Sequence, residues 1–204
     1  MTSIQAERHE AWKTLMKQSL HQAVVKVLLE ADTQALTMDR IAQAAGIAKG
    51  TLYNYFEDKE ELLHYVVKSS LDPLEEEADR ILSSEGAADE KLLDYARRML
   101  GYFEENRELL RILQDPELSR RGMKEGRDRH TRLVLKAGKV FEEGIKAGIF
   151  EEAPANKLGA MFVMSCMALM MGRVWMEKRS PVEDDARLLM RVFMRGSGKG
   201  GNQR

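Results

Sequence analysis

The chain has 204 residues, of which 44% are hydrophobic, 32% are charged and only four are proline. This composition excludes a disordered or fibrous protein and favours a folded, helical chain with a buried interior. The net charge of −1, and a count of eight lysines and arginines against nine aspartates and glutamates in residues 1–70, exclude attraction of nucleic acid by an overall positive field.

Periodicity and capping residues predict two helices at the N-terminal end. Apolar residues spaced three and four apart predict a first helix of about five turns that ends near Ala31, with Trp12 extending its apolar face backwards. Thr37 is a suitable N-cap for a short second helix over residues 38–45, because its hydroxyl can accept from a backbone N–H of the first turn. Gly46 is suited to end that helix.

Two further helices follow closely in the sequence. A third helix is predicted over residues 49–55, almost directly after the second. Asp58 and Glu61 have the spacing of a capping box and predict the start of a fourth helix. The pair Asp72-Pro73 is expected to end or kink that helix, because proline lacks a backbone N–H and restricts the residue before it.

The rest of the chain reads as helices, and no segment alternates long enough to predict a strand. The predicted loops are 83–89, 115–126, 148–156 and 179–181. We therefore expect an all-α fold. It comprises an N-terminal three-helix bundle with a helix-turn-helix in residues 1–57, a larger helical domain in 58–195 and a disordered polar tail in 196–204.

Two short helices joined by a glycine-containing turn suit DNA reading, because the second can enter a major groove while the first braces it. The segment Thr37–Leu63, TMDRIAQAAGIAKGTLYNYFEDKEELL, closely resembles the DNA-binding motif of the TetR family. The small residues that let the helices approach closely are Ala42, Ala45 and Gly46. The apolar residues of a small shared core are Ile41, Ile47, Leu52 and Phe56. The resemblance implies a homodimeric transcription regulator, by family habit a repressor, that binds a near-palindromic operator in double-stranded DNA.

Candidate DNA contacts cluster on the predicted third helix. Gly50 lets the backbone come close to a phosphate, and Lys49 and Thr51 place a cation and a hydroxyl beside it. The resemblance implies that Tyr53 and Lys59 hold phosphates, that Asn54 and Tyr55 line the groove side, and that Thr37 caps the second helix against the DNA backbone. Three of these side chains also have a purely structural interpretation: packing for Tyr53, a solvated helix start for Lys59 and a cap for Thr37. Ala48 departs from the serine or threonine common in the family, which removes a hydroxyl.

The nearly uninterrupted apolar run 158–172 predicts a helix that must be covered on all sides. A membrane span is the rival interpretation, but the run is shorter than about 20 residues and is bracketed by Lys157 and Arg173. We expect the chain's own core on one side and a second subunit on the other, as the resemblance implies for the last two helices. The predicted interface residues are Met161, Leu169, Leu188, Leu189, Val192 and Phe193.

The resemblance further implies that the larger domain senses a small apolar or amphipathic molecule that releases the protein from DNA, with Pro73 as a candidate pivot. The candidate lining residues are Tyr95, Met99, Tyr102, Phe103, Phe141, Phe162 and Cys166. Plain core packing is the alternative interpretation of these residues.

Two other classes of function compete with the regulator. An enzyme is not expected: Glu61 and His64 form a single Glu-x-x-His step, whereas a di-iron bundle needs two, and Cys166 in an apolar helix is typical of an inert core thiol. No metal or cofactor is therefore predicted. A helical interaction module that has lost DNA binding stays open, because residues 1–70 are not basic and Ala48 lacks a hydroxyl. One cysteine and no apolar leader predict a cytoplasmic protein.

Overall fold

The computed structural model describes residues 3–31, 33–114, 116–176 and 179–197, and these ranges confirm an all-α fold without strands. The helices are α1 (Ser3–Glu30), α2 (Met38–Ala45), α3 (Lys49–Tyr53), α4 (Lys59–Leu82), α5 (Ala88–Glu105), α6 (Arg107–Gln114), α7 (Pro116–Lys146), α8 (Ala155–Trp175) and α9 (Val182–Ser197). A short 3-10 turn, Thr33–Ala35, joins α1 to α2. Helix α9 takes in the first two residues of the predicted tail, and residues 198–204 lie outside the described ranges.

The chain divides into two compact units. Unit 1 combines Met1–Asp72 with Glu108–Met123, and unit 2 combines Pro73–Arg107 with Lys124–Arg204. The predicted helix-turn-helix domain of residues 1–57 lies wholly within unit 1. Unit 1 is larger than that prediction because the first half of α4 and most of α6 pack with it.

Unit 1 is built around α1, which is three turns longer than predicted at its N-terminal end. Its core contains Leu20 and Val24 of α1 together with Leu62 of α4 and Ile112 of α6. Arg111 of α6 also donates to the carbonyl oxygens of Leu28 at 2.5 Å and Ala31 at 3.2 Å. These bonds satisfy carbonyl groups that the end of α1 leaves without a helical partner.

Helix α4 runs through Pro73, so of the two predicted outcomes, an end or a kink of the helix, the first is wrong. The helix continues because its second half has a buried face in unit 2, formed by Leu74, Ala78 and Leu82. Burial of apolar side chains on three successive turns offsets the backbone hydrogen bond that proline removes. Pro73 is nevertheless the first residue of unit 2, at the border between the two units along the chain.

The predicted loop over residues 115–126 is also wrong, because α7 begins at Pro116. Proline is favoured in the first turn of a helix, where the N–H that it lacks has no helical acceptor. The glycines at 122 and 126 lie inside α7, and each costs about 1 kcal/mol relative to alanine without ending the helix.

In unit 2, α7 and α8 approach each other closely at two glycines. A Cβ atom on Gly159 would lie 2.5 Å from the backbone nitrogen of Gly138 and 2.7 Å from the carbonyl oxygen of Val134. No side chain fits between these backbones, so the pair of glycines sets how near the two helices can come. Helix α5 packs against both α8 and α9.

Helix α8 is only partly covered within the single chain. The stretch Ala155–Arg173 is long and apolar enough, by length and composition alone, to cross a membrane. At its C-terminal end, however, Arg173 is 8% exposed and forms ion pairs with Glu104 and Asp185. A buried cation with two carboxylate partners at one end of the stretch favours a helix that packs inside a protein.

Candidate nucleic-acid interface

The helix-turn-helix of unit 1 is set up by local capping. Thr37 has an extended backbone, and its hydroxyl accepts the N–H of Arg40 at 3.3 Å, which starts α2. Gly46 ends α2 in the left-handed region at φ 70°, and its N–H donates to the carbonyl oxygen of Gln43 at 3.2 Å. Only glycine adopts that conformation without strain. The predicted bounds of α2 are confirmed.

A small core holds α2 and α3 together behind the turn. Ile41, Leu52 and Phe56 are each at most 1% exposed, and Ile47 packs partly buried against them. These are the four apolar residues that the sequence predicts for a shared core. Since they fill the inner side of the motif, the opposite side of α3 is left to solvent.

The residues predicted to contact DNA fall into two groups by exposure. Thr37, Lys49, Gly50, Tyr53 and Asn54 are exposed. The half-buried members of the set are Thr51, Tyr55 and Lys59. Most of the candidate contacts are therefore accessible to a large ligand such as a duplex.

Lys49 is held from two sides. Its ammonium forms an ion pair with the Asp39 carboxylate of α2 at 2.6 Å, and it lies 5.7 Å from the centre of the Tyr53 ring. The hydrogen bond to Asp39 raises the pKa of Lys49 above its ordinary value. Lys49 is thus a full cation at neutral pH. Sequence analysis missed Asp39, because a residue in the first turn of α2 reads only as a favourable partner of the helix dipole.

Tyr55 is covered by the N-terminal part of α1. Its ring stacks on Trp12 with the ring centres 3.7 Å apart and the planes 8° from parallel, and the His9 ring is 4.8 Å away. The sequence predicts Trp12 as part of an apolar helix face but does not identify its partner. The structure therefore shows a packing contact for Tyr55, whereas a contact to the DNA groove stays a prediction.

The turn between α3 and α4 is fixed by the predicted capping pattern. The Asp58 carboxylate accepts the N–H of Glu61 at 2.8 Å, and the Glu61 carboxylate accepts the N–H of Glu57 at 2.7 Å. The ammonium of Lys13 lies 3.7 Å from Glu61. Lys59 thereby sits at the first position of α4, where its side chain is carried by a capped helix start.

Ala48 precedes α3 as its N-cap and makes no side-chain hydrogen bond. The start of α3 therefore offers a bare backbone rather than a hydroxyl. Gly50 follows in the first turn, and a Cβ atom built on it would meet no other atom within 4 Å. Both features leave open space in front of the first turn of α3.

The residues predicted to line a ligand pocket lie in unit 2, and most are packed against each other. Phe162 contacts Tyr95 and Phe141 at ring-centre distances of 5.9 Å, and Phe103 forms an edge contact with Tyr102 at 5.3 Å. The remaining two members of the set are Met99, which is half-buried, and Cys166, which is buried. Tyr95, Phe141 and Phe162 are at most 1% exposed, so a ligand among them requires side chains to move.

The residues predicted for a dimer interface divide into an outer and an inner group. Met161, Leu188 and Val192 are 59%, 47% and 60% exposed, whereas Leu189 and Phe193 face the core of unit 2. Phe193 lies 5.3 Å from Phe162, ring centre to ring centre. Leu169 is half-buried, and the further exposed side chains on the outer side of α8 are Met164 and Met167. The outer group alone forms an apolar surface on α8 and α9.

Glu61 and Cys166, two of the groups considered for enzyme chemistry, lie in different surroundings. Glu61 caps a helix start, and the part of the chain that the structure describes contains no cluster of three His, Cys, Asp or Glu residues suited to a metal. Burial raises the pKa of the Cys166 thiol to about 12. A thiol with that pKa is protonated at neutral pH and is a poor nucleophile.

Comparison with known proteins matches this geometry. Residues 21–66 match the model of the bacterial regulatory proteins, tetR family. The chain is 24% identical over 171 residues to the HTH-type transcriptional regulator YhgD of Bacillus subtilis (strain 168), covering 83% of this chain and 88% of YhgD.

Solved structures share the fold. The fatty acid degradation regulator FadR from Bacillus halodurans superposes with a TM-score of 0.74 at 19% identity, over 93% of this chain and 97% of FadR. FadR from Bacillus subtilis, solved in complex with stearoyl-CoA, superposes with a TM-score of 0.72 at 20% identity, over 88% of this chain and 98% of that protein.

Proposed function

Because the chain belongs to the TetR family of bacterial transcription regulators, we propose that it is a cytoplasmic repressor that binds a near-palindromic operator as a homodimer. Release from DNA would follow when a small apolar or amphipathic molecule binds to unit 2. The observation that carries the DNA-binding part is the exposed face of α3, where Lys49, Gly50, Tyr53 and Asn54 lie together on a turn fixed by buried side chains.

This face is suited to the DNA backbone. Lys49 supplies a cation, Gly50 leaves open space in which a phosphate can approach the backbone of α3, and Tyr53 supplies a hydroxyl. The amide of Asn54 has the donor and acceptor that pair with adenine in the major groove. Two such faces related by a two-fold axis would read two half-sites.

We expect Lys49→Ala and Tyr53→Phe each to weaken DNA binding without unfolding the chain, since both side chains are exposed. Loss of one phosphate contact should lower the affinity about three- to tenfold, and Lys49→Ala, which removes a cation, should also reduce the salt slope by about one. Binding is measured with genomic fragments that the purified protein enriches, at several salt concentrations. A matched control is Lys146→Ala, which removes another exposed, ion-paired lysine from α7. Equal loss in the control, or no enriched fragment with the folded wild-type protein, would contradict the proposal.

The homodimer is supported by the outer apolar surface of α8 and α9. We expect Val192→Glu to give a monomer. Val192 is 60% exposed in the single chain, so a carboxylate there is tolerated by the folded monomer. Burial of that carboxylate by a second subunit would cost several kcal/mol. The control is Leu15→Glu, at a side chain that is 80% exposed on α1. Sedimentation measures the mass of each variant. A monomeric wild-type protein, or a dimeric Val192→Glu variant, would contradict the proposed interface.

Ligand control is supported by the shared fold of the B. subtilis FadR that holds stearoyl-CoA. Helix α4 runs from unit 1 into unit 2 and carries Pro73 at the border. It is therefore the element that we propose to transmit ligand binding to the helix-turn-helix. Stearoyl-CoA is the first probe. We expect it to raise the unfolding temperature and to release enriched DNA; a change in neither would exclude this ligand class.

A further inference from the structure

The ion pair between Asp39 and Lys49 places a carboxylate beside the cation that is proposed to hold DNA. The two atoms are 2.6 Å apart, and both side chains are more than half exposed, at 62% for Asp39 and 56% for Lys49. The pair joins α2 to the first residue of α3, so it spans the turn of the helix-turn-helix.

We propose that Asp39 competes with DNA phosphate for Lys49 and thereby lowers the affinity of the helix-turn-helix for all DNA sequences. This inference rests on the proposed function. A phosphate oxygen at about 2.8 Å from the Lys49 ammonium lies no more than about 5.4 Å from the Asp39 carboxylate if the ion pair persists. DNA must therefore either displace Asp39 or approach a like charge.

The exchange is feasible because exposed ion pairs are weak. A solvent-exposed lysine–carboxylate pair contributes little net free energy, so a phosphate in a row of phosphates can replace the carboxylate. The Tyr53 ring, 5.7 Å from the same ammonium, holds Lys49 on the α3 side once Asp39 is displaced. Asp39 thus reduces affinity without abolishing it.

The charge balance of residues 1–70 agrees with this role. Eight cations are opposed by nine carboxylates, so a cation that is already paired adds nothing to long-range attraction. Phosphate contacts carry no sequence information, so a residue that weakens one lowers binding to operator and to random DNA alike. A regulator with lower affinity for random DNA spends less time on competing sites at a given protein concentration.

The test compares Asp39→Asn with the wild-type protein on two probes, a duplex enriched from the genome and a duplex of mixed sequence. We expect Asp39→Asn to bind both about three- to tenfold more tightly at low salt, with a salt slope that is larger by about one for each helix-turn-helix that contacts the DNA. The gain should vanish in the Lys49→Ala background. Glu30→Gln is the matched control, because it removes one carboxylate from another exposed ion pair of unit 1, 3.6 Å from Arg40.

Three results would overturn the inference while the proposed function stands. These are unchanged binding by Asp39→Asn, a gain that persists with Lys49→Ala, and weaker binding of the enriched duplex alone, which would make Asp39 a base-reading residue. Failure of the wild-type protein to bind either duplex would instead defeat the proposed function and this inference together. Thermal unfolding of each variant confirms that the compared proteins are folded.

Discussion

Gly50→Ala is expected to lower the affinity for enriched DNA by roughly 10- to 150-fold while the fold stays at least as stable. A backbone hydrogen bond to a charged group contributes roughly 1.5–3 kcal/mol, and a methyl group in front of the first turn of α3 would keep a phosphate from reaching it. The same methyl group meets no protein atom within 4 Å. Alanine also favours the helix over glycine by up to about 1 kcal/mol.

In Gly50→Ala, the stability of the fold should stay the same or rise while the affinity for DNA falls. Gly101→Ala in α5 is the control, since a Cβ atom there likewise meets nothing within 4 Å. Both variants should unfold at or slightly above the wild-type temperature, and only Gly50→Ala should lose DNA binding. Unchanged DNA affinity of Gly50→Ala would show that the first turn of α3 does not approach a phosphate.

Gly159→Ala is expected to destabilise unit 2 by about 2–3 kcal/mol. Its Cβ atom would lie 2.5 Å and 2.7 Å from backbone atoms of α7, and backbone cannot move aside as a flexible side chain can. For a chain of this size the change corresponds to a fall of roughly 4–12 °C in the unfolding temperature. Chemical denaturation followed by circular dichroism measures the change.

The control for Gly159 lies in the same helix. Gly172→Ala adds the same methyl group to α8 where nothing lies within 4 Å, and it should leave stability unchanged or raise it by up to about 1 kcal/mol. A difference between the two variants isolates the crossing of α7 and α8 from helix propensity. Equal stability of the two would contradict the close approach at Gly138 and Gly159.

Features governed by neighbouring residues could be predicted from the sequence. Thr37 and Gly46 set the bounds of α2, and Asp58 and Glu61 set the start of α4, because a cap needs only a side chain and a backbone group three or four residues apart. The small core of the motif was predicted from the segment that resembles the family motif. The residues of the predicted DNA contact face are exposed or half-buried for the same reason, since they lie on the other side of a short helix.

Features that join distant segments could not be predicted. Nothing near Trp12 in the sequence indicates that it stacks on Tyr55, and nothing near Lys49 indicates Asp39 as its partner. Helix α4 continues through Pro73 because of burial along its second half, which local rules for proline do not contain. These contacts depend on where the chain returns in space.

In α9, the sequence determined one part of the result and the tertiary structure the other. Its amphipathic spacing predicts an apolar face that includes Leu188, Leu189, Val192 and Phe193, and that much was determined by the sequence itself. Only the tertiary structure decided that Leu189 and Phe193 enter the core while Leu188 and Val192 stay exposed. The reason is geometric: spacing shows that a helix has an apolar side, but neighbouring helices decide which part of that side they cover.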